Sequence, residues 1–243
     1  MNNLDINGFY IVTSFLKPIE IKTLGIASKH VYNNCRNFMT YLYSEYGCNE
    51  LYYKMNTAQW IVKNCSRDIL LDCINKNLTI NSIVFNDDFD KPVESLAKCT
   101  NLRQIAFGLL FNQPVETLAS CTDLQQITFG DKFNQPIETL ASCTDLQQIT
   151  FGYQFDQPIK ALASCTNLRQ ITFSGNFNQP IEAIVSCTNL RQITFDALSD
   201  FNQPIEALAS CTDLQQITFP IQRRFNKSTG ELPCCVGIIM LKS

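Results

Sequence analysis

The sequence predicts an α+β fold in which a helical N-terminal module is followed by a right-handed solenoid with short parallel strands. Phenylalanine and cysteine each recur at a 22-residue interval from residue 89 onwards. Each interval holds one strand pattern and one short helical pattern, whereas residues 1–77 show no such repeat. A fixed period of this length is typical of solenoids, whose units bury their apolar faces against neighbouring units. The recurring positions are Phe89, Phe111, Phe133, Phe155, Phe177, Cys99, Cys121, Cys143, Cys165 and Cys187, followed by Phe201 and Cys211 after two extra residues.

The strand of each unit is predicted from the alternation in Q-Q-I-T-F, residues 147–151 in one copy. Alternation with a period of two is typical of a strand with one buried face. Ile149 and Phe151 are expected to point inward, and Gln148 and Thr150 to point to the other face.

The helical part of each unit is predicted from F-N-Q-P-I-E-x-L-A-S-C. Pro136 suits the first position of a short helix or 3₁₀ segment, because that position needs no amide donor. Ile137, Leu140 and Ala141 are then expected to face the core at helical spacing. Connections between parallel strands stay on one side of the sheet, which gives a right-handed coil.

Two further columns are expected along the solenoid. Phenylalanines are predicted to stack as a continuous apolar spine. Asparagines are predicted to form a buried ladder that satisfies turn carbonyls and amides. The asparagines are Asn112, Asn134, Asn178 and Asn202, with Asp90 and Asp156 in their place elsewhere.

We divide the chain into three segments. Residues 1–44 form a helical module, residues 45–77 a helical linker or N-terminal cap, and residues 78–243 the solenoid, with about six full repeats of 22–24 residues and degenerate end units. Apolar residues on both sides of residue 44 indicate further helices, namely Tyr41, Leu42, Met55, Trp60, Ile61, Ile69, Leu70 and Ile74. At the other end, Ile238 and Leu241 are expected to occupy the places of Leu214 and Ile217 in a capping unit.

Composition excludes several functional classes. The 243 residues are 45% hydrophobic and 17% charged, which is typical of a folded chain. The net charge of −3 offers no basic field for nucleic acid. No apolar run approaches the ~20 residues of a membrane span, and the N-terminus does not resemble a signal peptide. We therefore expect a cytoplasmic protein, in the host cell if the chain is viral.

The cysteines are expected to be structural. Six of the 12 occupy one repeat position, where a small buried apolar residue fits. Adjacent rungs lie ~4.8 Å apart, within the Cα range of a disulfide, but we expect the thiols to be reduced. A zinc site is disfavoured because the chain has no C-x-x-C pair. We expect no metal and no cofactor.

No catalytic residue is predicted, and we expect the protein not to be an enzyme. The single histidine, His30, has no partner pattern typical of nucleophilic catalysis. The repeated acids Glu116, Glu138, Glu182 and Glu206 are better interpreted as a solvated edge, which Lys160 interrupts. No phosphate-binding glycine motif occurs.

The repeat itself carries a family resemblance. The motif F-N-Q-P-[IV]-E-x-L, followed by L-x-x-I-x-F-G, resembles the FNIP repeat, a relative of the leucine-rich repeat known from social amoebae and from giant viruses that infect amoebae. Phe-Asn-Gln-Pro stands at 111–114, 133–136, 177–180 and 201–204. The resemblance covers residues 78–243 and implies a leucine-rich-repeat-like solenoid.

The N-terminal module resembles an F-box. Phe15-Leu16 matches the Y-L pair of that family, Pro18 its proline, and Glu20-Ile21 its D-L pair. Asp5 stands where the family usually has proline, and its usual tryptophan is missing. The resemblance implies that a Skp-type adaptor protein binds the stripe made of Leu4, Phe9, Val12, Phe15, Leu16, Pro18, Ile21 and Leu24.

Together the two resemblances imply a substrate receptor of a cullin–RING ubiquitin ligase, whose solenoid holds a protein substrate. The alternative is a stand-alone structural or interaction solenoid, a scaffold or a virion-associated protein, whose N-terminus acts only as a cap. Residues 4–31 distinguish the two, because a protruding module favours the first and a sealed solenoid end the second. The sequence leaves the substrate and the oligomeric state open.

Partner-binding residues are expected in the loop after each strand. These loops vary between repeats while the strands do not, and loops on a rigid scaffold commonly mediate recognition. The predicted residues are Leu109, Leu110, Lys132, Tyr153, Gln154, Asn176, Leu198, Asp200, Arg223 and Arg224. The monotonous strand face of glutamine and threonine is interpreted as ladder stability or as a weak extended binding strip.

Overall fold

The architecture comes from a computed structural model, which describes residues 40–43, 59–75, 77–196, 199–220 and 237–241. Within this part of the chain, ten strands form one parallel sheet in strict sequence order. The strands are β1 (Thr40–Tyr43), β2 (Gln59–Cys65), β3 (Thr79–Phe85), β4 (Gln104–Ala106), β5 (Gln126–Thr128), β6 (Gln148–Thr150), β7 (Gln170–Phe173), β8 (Gln192–Phe195), β9 (Gln216–Pro220) and β10 (Gly237–Leu241).

The register of the sheet follows the sequence repeat. Ile127 pairs with Ile149 and Ile149 with Ile171, so that identical residues stack from rung to rung. The two extra residues after β8 leave this register unchanged, since Ile193 still pairs with Ile217. The strand isoleucines are buried, as the alternation of Q-Q-I-T-F predicts.

Each coil returns through a short 3₁₀ segment. The six segments are Glu94–Lys98, Glu116–Ser120, Glu138–Ser142, Lys160–Ser164, Glu182–Ser186 and Glu206–Ser210. A 3₁₀ helix has three residues per turn, so Ile137, Leu140 and Cys143 share its buried side. The predicted inward position of Ala141 is wrong for this reason, because Ala141 is exposed. Pro136 also precedes the segment by two residues and does not begin it.

Two columns of phenylalanine fill the core, one from the strands and one from the loop ends. Within a rung, Phe129 and Phe133 stack with ring centroids 3.9 Å apart. Between rungs, Phe129 lies 5.7 Å from Phe151 and Phe133 lies 6.1 Å from Phe155. The predicted aromatic spine is therefore confirmed, as a double column of nearly parallel rings.

The sheet extends further towards the N-terminus than the repeat does. Residues 40–43 and 59–65, which we predicted to be helical, form β1 and β2, and Trp60 pairs with Tyr41 and Ile80. This expectation is wrong because the aromatic and β-branched residues of W-I-V suit a strand that adds to the open edge of β3. Among the described residues of this set, Ile69, Leu70 and Ile74 lie in a helix, α1 (Arg67–Asn75). Met55 lies outside the described residues.

The sheet therefore crosses the proposed boundary at residues 77 and 78. The division into residues 1–44, 45–77 and 78–243 stays a prediction as a division into domains. The F-box-like stripe from Leu4 to Leu24 lies outside the described residues.

The C-terminal unit differs in register from our expectation. Ile238 pairs with Ile217 and Leu241 with Pro220, so Ile238 does not take the place of Leu214. Strand β10 begins at Gly237, whose backbone amide donates to the carbonyl oxygen of Gln215 at 2.8 Å. This last unit is three residues shorter than its sequence spacing suggested, which shifts every predicted position along the strand.

Candidate functional site

The loops that follow the strands stack into one continuous feature, which we call the loop ridge. Two positions of each loop define it: Asp87, Asp88, Leu109, Leu110, Asp131, Lys132, Tyr153, Gln154, Gly175 and Asn176. The ridge runs parallel to the solenoid axis, so consecutive members lie about one strand spacing, ~4.8 Å, apart.

Backbone hydrogen bonds join each loop of the ridge to the next. The amide of Leu110 donates to the carbonyl oxygen of Asp87 at 2.9 Å, and the amide of Lys132 donates to that of Leu109 at 3.0 Å. The same bond recurs from Gln154 to Asp131 at 2.8 Å, and then from Asn176 to Tyr153 and from Asp200 to Gly175. The loops thus continue the sheet ladder, which holds their side chains at fixed spacing.

Glycine at the start of a loop permits this close stacking. A Cβ atom on Gly130 would collide with the backbone carbonyl group of Gly108 in the preceding loop. Only a residue without a side chain fits at this distance in this backbone arrangement. The sequence pattern F-G after the strand therefore permits this close stacking in the loops that begin at Gly108, Gly130 and Gly152.

Exposed apolar side chains concentrate on the ridge. Leu109 is 48% exposed, Leu110 is 49% exposed and Tyr153 is 44% exposed. Among the described residues, Val84 and Val185 are the other large apolar residues that are exposed. A surface of leucine and tyrosine on a rigid backbone suits contact with another protein, because such side chains supply most of the binding energy at interfaces.

Tyr153 has a specific seat that sequence reasoning missed. A Cβ atom on Gly175 would lie 2.6 Å from Cδ2 of Tyr153, so the ring covers the bare backbone of the next loop. Gly175 has a φ of +50°, a left-handed conformation that favours glycine. The G-N pair after β7 is the sequence signal for this seat, since no other repeat has glycine at this position.

The predicted partner-binding residues divide into three groups. Leu109, Leu110, Lys132, Tyr153 and Asn176 are exposed on the ridge. Gln154 lies on the ridge but is half-buried, and Asp200 is half-buried in the next loop, where its amide donates to the carbonyl oxygen of Gly175. Leu198, Arg223 and Arg224 lie outside the described residues. As binding residues, all ten stay predictions.

The strand face beside the ridge is polar and regular. Glutamines from Gln104 to Gln216 stand in register along it, and threonines from Thr128 to Thr218 form the next row. Some of these side chains bond each other between adjacent rungs, as Nε2 of Gln170 donates to Oε1 of Gln192 at 3.5 Å. These contacts support the interpretation as a stabilising ladder.

The asparagine ladder exists, but its chemistry differs from our expectation. Oδ1 of Asn134 accepts two bonds from the next rung, from the amide of Asp156 at 3.0 Å and from Nε2 of Gln157 at 3.0 Å. Asn134 is exposed, so the ladder is not buried, and it serves amides and glutamine side chains in place of turn carbonyls. Asp156 fits the ladder because its Oδ1 accepts the same two bonds, from Asn178 and Gln179.

The repeat cysteines form a buried column of free thiols. Among the described residues, the buried cysteines that form no disulfide are Cys65, Cys73, Cys99, Cys121, Cys143, Cys165, Cys187 and Cys211. The thiol of Cys143 donates to the carbonyl oxygen of Leu118 at 3.5 Å. Burial raises the pKa of the Cys121 thiol to about 12, with a smaller contribution from Cys99 and Cys143. These thiols are therefore protonated at neutral pH and poor nucleophiles.

The described residues contain no cluster of three or more histidine, cysteine or acidic side chains that suits a metal ion. A cleft of about 440 Å³ lies beside the C-terminal end of α1, and its lining includes Ile74, Asn75, Leu78, Lys98, Cys99 and Asn101. The Cys99 thiol in its lining is buried, and burial raises the pKa of this thiol to about 11. The lining contains no carboxylate. No helix in this part of the chain has the length and apolarity of a membrane span.

Known proteins resemble the chain in fold more than in sequence. No family model and no curated protein sequence matches it. An internalin (inlF) from Listeria monocytogenes str. 4b F2365 matches with a TM-score of 0.54 and 19% identity, over 68% of this chain and 48% of its own. A Leptospira interrogans LRR protein, LIC12759, matches with a TM-score of 0.56 and 10% identity, over 71% and 45%.

CroV588, described as a novel circular LRR protein structure, matches with a TM-score of 0.54 and 28% identity. The match covers 66% of this chain and 24% of CroV588, so the chain spans less than half the length of these three structures. CroV588 and LIC12759 are both described as LRR proteins, and strands β3 to β9 of this chain stack in parallel in one sheet. The chain therefore has the fold of a leucine-rich-repeat solenoid.

Proposed function

We propose that the chain is a non-enzymatic protein-interaction solenoid that binds a partner protein through the loop ridge. The observation that carries this proposal is the concentration of exposed Leu109, Leu110 and Tyr153 on loops that backbone bonds hold in place. A rigid surface loses little conformational entropy on binding, so apolar contact there yields more net affinity. The fold class supports the proposal, since repeat solenoids offer extended binding surfaces.

Crosslinking with mass spectrometry on native extract tests this use of the ridge. We expect the wild-type chain to give reproducible crosslinks at Lys132, and the variants Leu109→Asp and Tyr153→Asp to lose them. Val185→Asp is the matched control, because Val185 is similarly exposed but lies in a 3₁₀ segment. Equal crosslinking of all four proteins would show that the ridge does not bind the partner.

The finer proposal is that the chain is the substrate receptor of a cullin–RING ubiquitin ligase. It rests on the F-box resemblance of residues 4–31 and on the presence of a solenoid that can hold a protein substrate. A Skp-type adaptor would bind the stripe of Leu4, Phe9, Leu16 and Ile21, as an apolar helical face that enters a groove. The free buried thiols fit a reducing compartment, and we propose a cytoplasmic location, in the host cell if the chain is viral.

Adaptor binding tests the finer proposal directly. We expect wild-type protein to bind a Skp-type adaptor at tens of micromolar, and Leu16→Asp and Ile21→Asp to abolish binding, because a buried unpaired charge costs several kcal/mol. Unfolding curves of both variants serve as the control and should match the wild type. Absence of wild-type binding would leave the ridge proposal intact and remove the ligase proposal.

The second candidate is a stand-alone solenoid with structural or scaffold function. It is favoured by β1 and β2, which join the sheet and so make residues 40–43 and 59–65 part of the solenoid. In that case Leu16→Asp and Ile21→Asp would lower the stability of the whole chain, because the N-terminal residues would seal its end.

A further inference from the structure

The rungs of the solenoid come in two charge types. Where each strand begins, the chain reads either T-N-L-R-Q or T-D-L-Q-Q, and the six complete rungs contain no other combination. An asparagine always accompanies the arginine, and an aspartate always accompanies the glutamine. Within this five-residue segment each rung therefore presents one charge, which comes from Arg103, Arg169 and Arg191 or from Asp123, Asp145 and Asp213.

These six charges form one exposed line, which we call the charge stripe. All six side chains are exposed. Backbone bonds keep their rungs in register, as the amide of Gln125 donates to the carbonyl oxygen of Arg103 at 2.8 Å and that of Gln215 to Arg191 at 2.9 Å. The described part of the chain places no ion-pair partner beside any of the six, so the stripe faces solvent with its charges unpaired.

The order of signs along the stripe is plus, minus, minus, plus, plus, minus. In reverse, the order is minus, plus, plus, minus, minus, plus, so every position has the opposite sign to the same position in the forward order. A second copy that runs antiparallel therefore places Arg103 opposite Asp213, Asp123 opposite Arg191, and Asp145 opposite Arg169. Each pair forms twice, because a two-fold axis between Asp145 and Arg169 exchanges the two copies.

We propose that the charge stripe is a self-complementary interface through which two copies of this chain form an antiparallel, two-fold-symmetric dimer. This proposal goes beyond the ridge function and does not depend on it, since the stripe lies where the strands begin and the ridge where they end. Two identical solenoids have the same rung spacing, so opposite charges stay matched over the full length of the stripe. An unrelated partner has no such match of spacing and sign.

The sign pattern also selects one register. If one copy slides by one rung, five rungs of each copy overlap. The middle rung then faces the same rung of the other copy, and like-charged pairs outnumber oppositely charged pairs. A shift by two rungs makes every overlapping pair like-charged, and a parallel arrangement in register does the same. Complementary charges of this kind fix register and exclude wrong alignments more than they raise affinity.

The size of the surface indicates a weak dimer. Along the solenoid axis, the six rungs extend over roughly 25 Å. Along the strand direction, the six residues from the turn to the end of the strand extend over roughly 20 Å. That area is at the low end for specific interfaces, and exposed ion pairs contribute only about 0–1 kcal/mol each. Arginine reaches across the two-residue offset between the basic and acidic positions, about 7 Å along the strand. We expect a dimer that forms at micromolar concentrations and dissociates in high salt.

Both rung types already occur in this solenoid, so conversion of one type into the other gives variants that are compatible with the fold. Asp145→Asn with Gln147→Arg converts one central rung to the basic type, and Asn167→Asp with Arg169→Gln converts the other to the acidic type. The second change removes a bond from Nδ2 of Asn167 to the carbonyl oxygen of Thr144, 3.0 Å long, which the aspartate rungs do without. Each variant alone sets like charges opposite each other at the centre.

Sedimentation equilibrium of the full chain at ~100 µM, in ~50 mM and in ~500 mM salt, tests the proposal. We expect wild-type protein to dimerise at low salt only, and each rung-converted variant to be monomeric. A one-to-one mixture of the two variants should restore the dimer, and so should one chain that contains all four substitutions. Glu138→Lys and Lys160→Glu change the net charge equally at exposed positions away from the stripe, and should dimerise as the wild type does.

Three results would overturn the proposal. One is a monomeric wild type at low salt, the second is dimerisation of either rung-converted variant with wild-type affinity, and the third is a mixture that stays monomeric. Unfolding curves show whether each variant is folded. Recovery of the dimer in the mixture is a second check, because two variants can form the interface only if both are folded.

Discussion

At the scale of single residues, identical side chains stabilise the solenoid because they stack on copies of themselves. Phe151 is fully buried, and its ring centroid lies 4.0 Å from Phe155 and 5.3 Å from Phe173. Each ring contacts both its own rung and the two neighbouring rungs. The loss of one ring therefore weakens three rungs together.

Truncation of one ring measures this effect. We expect Phe151→Ala to lower the free energy of unfolding by about 3–5 kcal/mol, as for other large-to-small changes in a packed core. Val185→Ala, at a 41% exposed position, should change it by less than about 0.5 kcal/mol. Denaturant titration checks both values, and a loss below about 1 kcal/mol for Phe151→Ala would contradict the buried register of this residue.

The column of buried thiols makes the free energy of unfolding depend on pH in the alkaline range. Burial raises the pKa of the Cys165 thiol from 9.0 to about 12, with a smaller contribution from the neighbouring cysteines, and the pKa of Cys143 to about 11. The folded state thus keeps these protons above pH 9, where the unfolded state releases them. The contribution of each thiol is complete below pH 9 and is lost as the pH rises towards 11–12.

We therefore expect the denaturant midpoint to be constant from pH 7 to 8.5 and to fall steeply between pH 9 and 11. Each buried thiol adds up to about 1.4 kcal/mol per pH unit in that window. Cys143→Ala should reduce the slope by one such contribution while lowering stability at pH 7. An unchanged slope in this variant would mean that Cys143 is ionised at the same pH in both states.

At the scale of elements, the loop ridge depends on the close approach of one loop to the next. Gly130→Ala sets a Cβ atom against the carbonyl group of Gly108, and we expect a loss of about 1–3 kcal/mol, the usual cost of overpacking. Ser174 occupies the same repeat position in the loop where Gly175 has a φ of +50°, and this position already accommodates a Cβ atom, so Ser174→Ala should be nearly neutral. Thermal unfolding of both variants makes the comparison, and equal melting temperatures would show that the loops do not stack tightly.

Sequence reasoning succeeded at this scale where the repeat was strong and failed where it was absent. The strand alternation of Q-Q-I-T-F and the phenylalanine columns were predicted correctly, because the same residue at every rung leaves only one consistent register. Trp60 and Ile61 were assigned to a helix, since a short apolar run fits both helix and strand and the open edge of β3 decides between them.

The candidate surface was predictable only in part, for a similar reason. Variation between repeats pointed to Leu109, Leu110 and Tyr153, which are exposed on the ridge. The seat of Tyr153 on Gly175 was not predicted, because it depends on a contact between two rungs that no pattern within one repeat contains.

At the scale of the whole molecule, the solenoid is a linear array in which each rung contacts its neighbours. β6 pairs with β5 and β7, and ring contacts likewise join adjacent rungs. Stability in such an array is close to a sum of rung contributions and contributions from interfaces between adjacent rungs. Removal of one complete rung should therefore preserve the fold, because the two new neighbours present the same surfaces.

Deletion of residues 133–154 tests this view, since it joins Lys132 to Phe155 and leaves every remaining strand in register. We expect a native circular dichroism spectrum, one cooperative transition, a lower free energy of unfolding, and a denaturant m-value smaller by about a tenth, because less surface is exposed on unfolding. Deletion of residues 133–143, half a rung, is the control and should abolish the transition, because β6 then follows its loop without the 3₁₀ segment that returns the chain across the coil. If both deletions unfold the chain, the rungs are not independent units and the stability of the solenoid resides in long-range contacts.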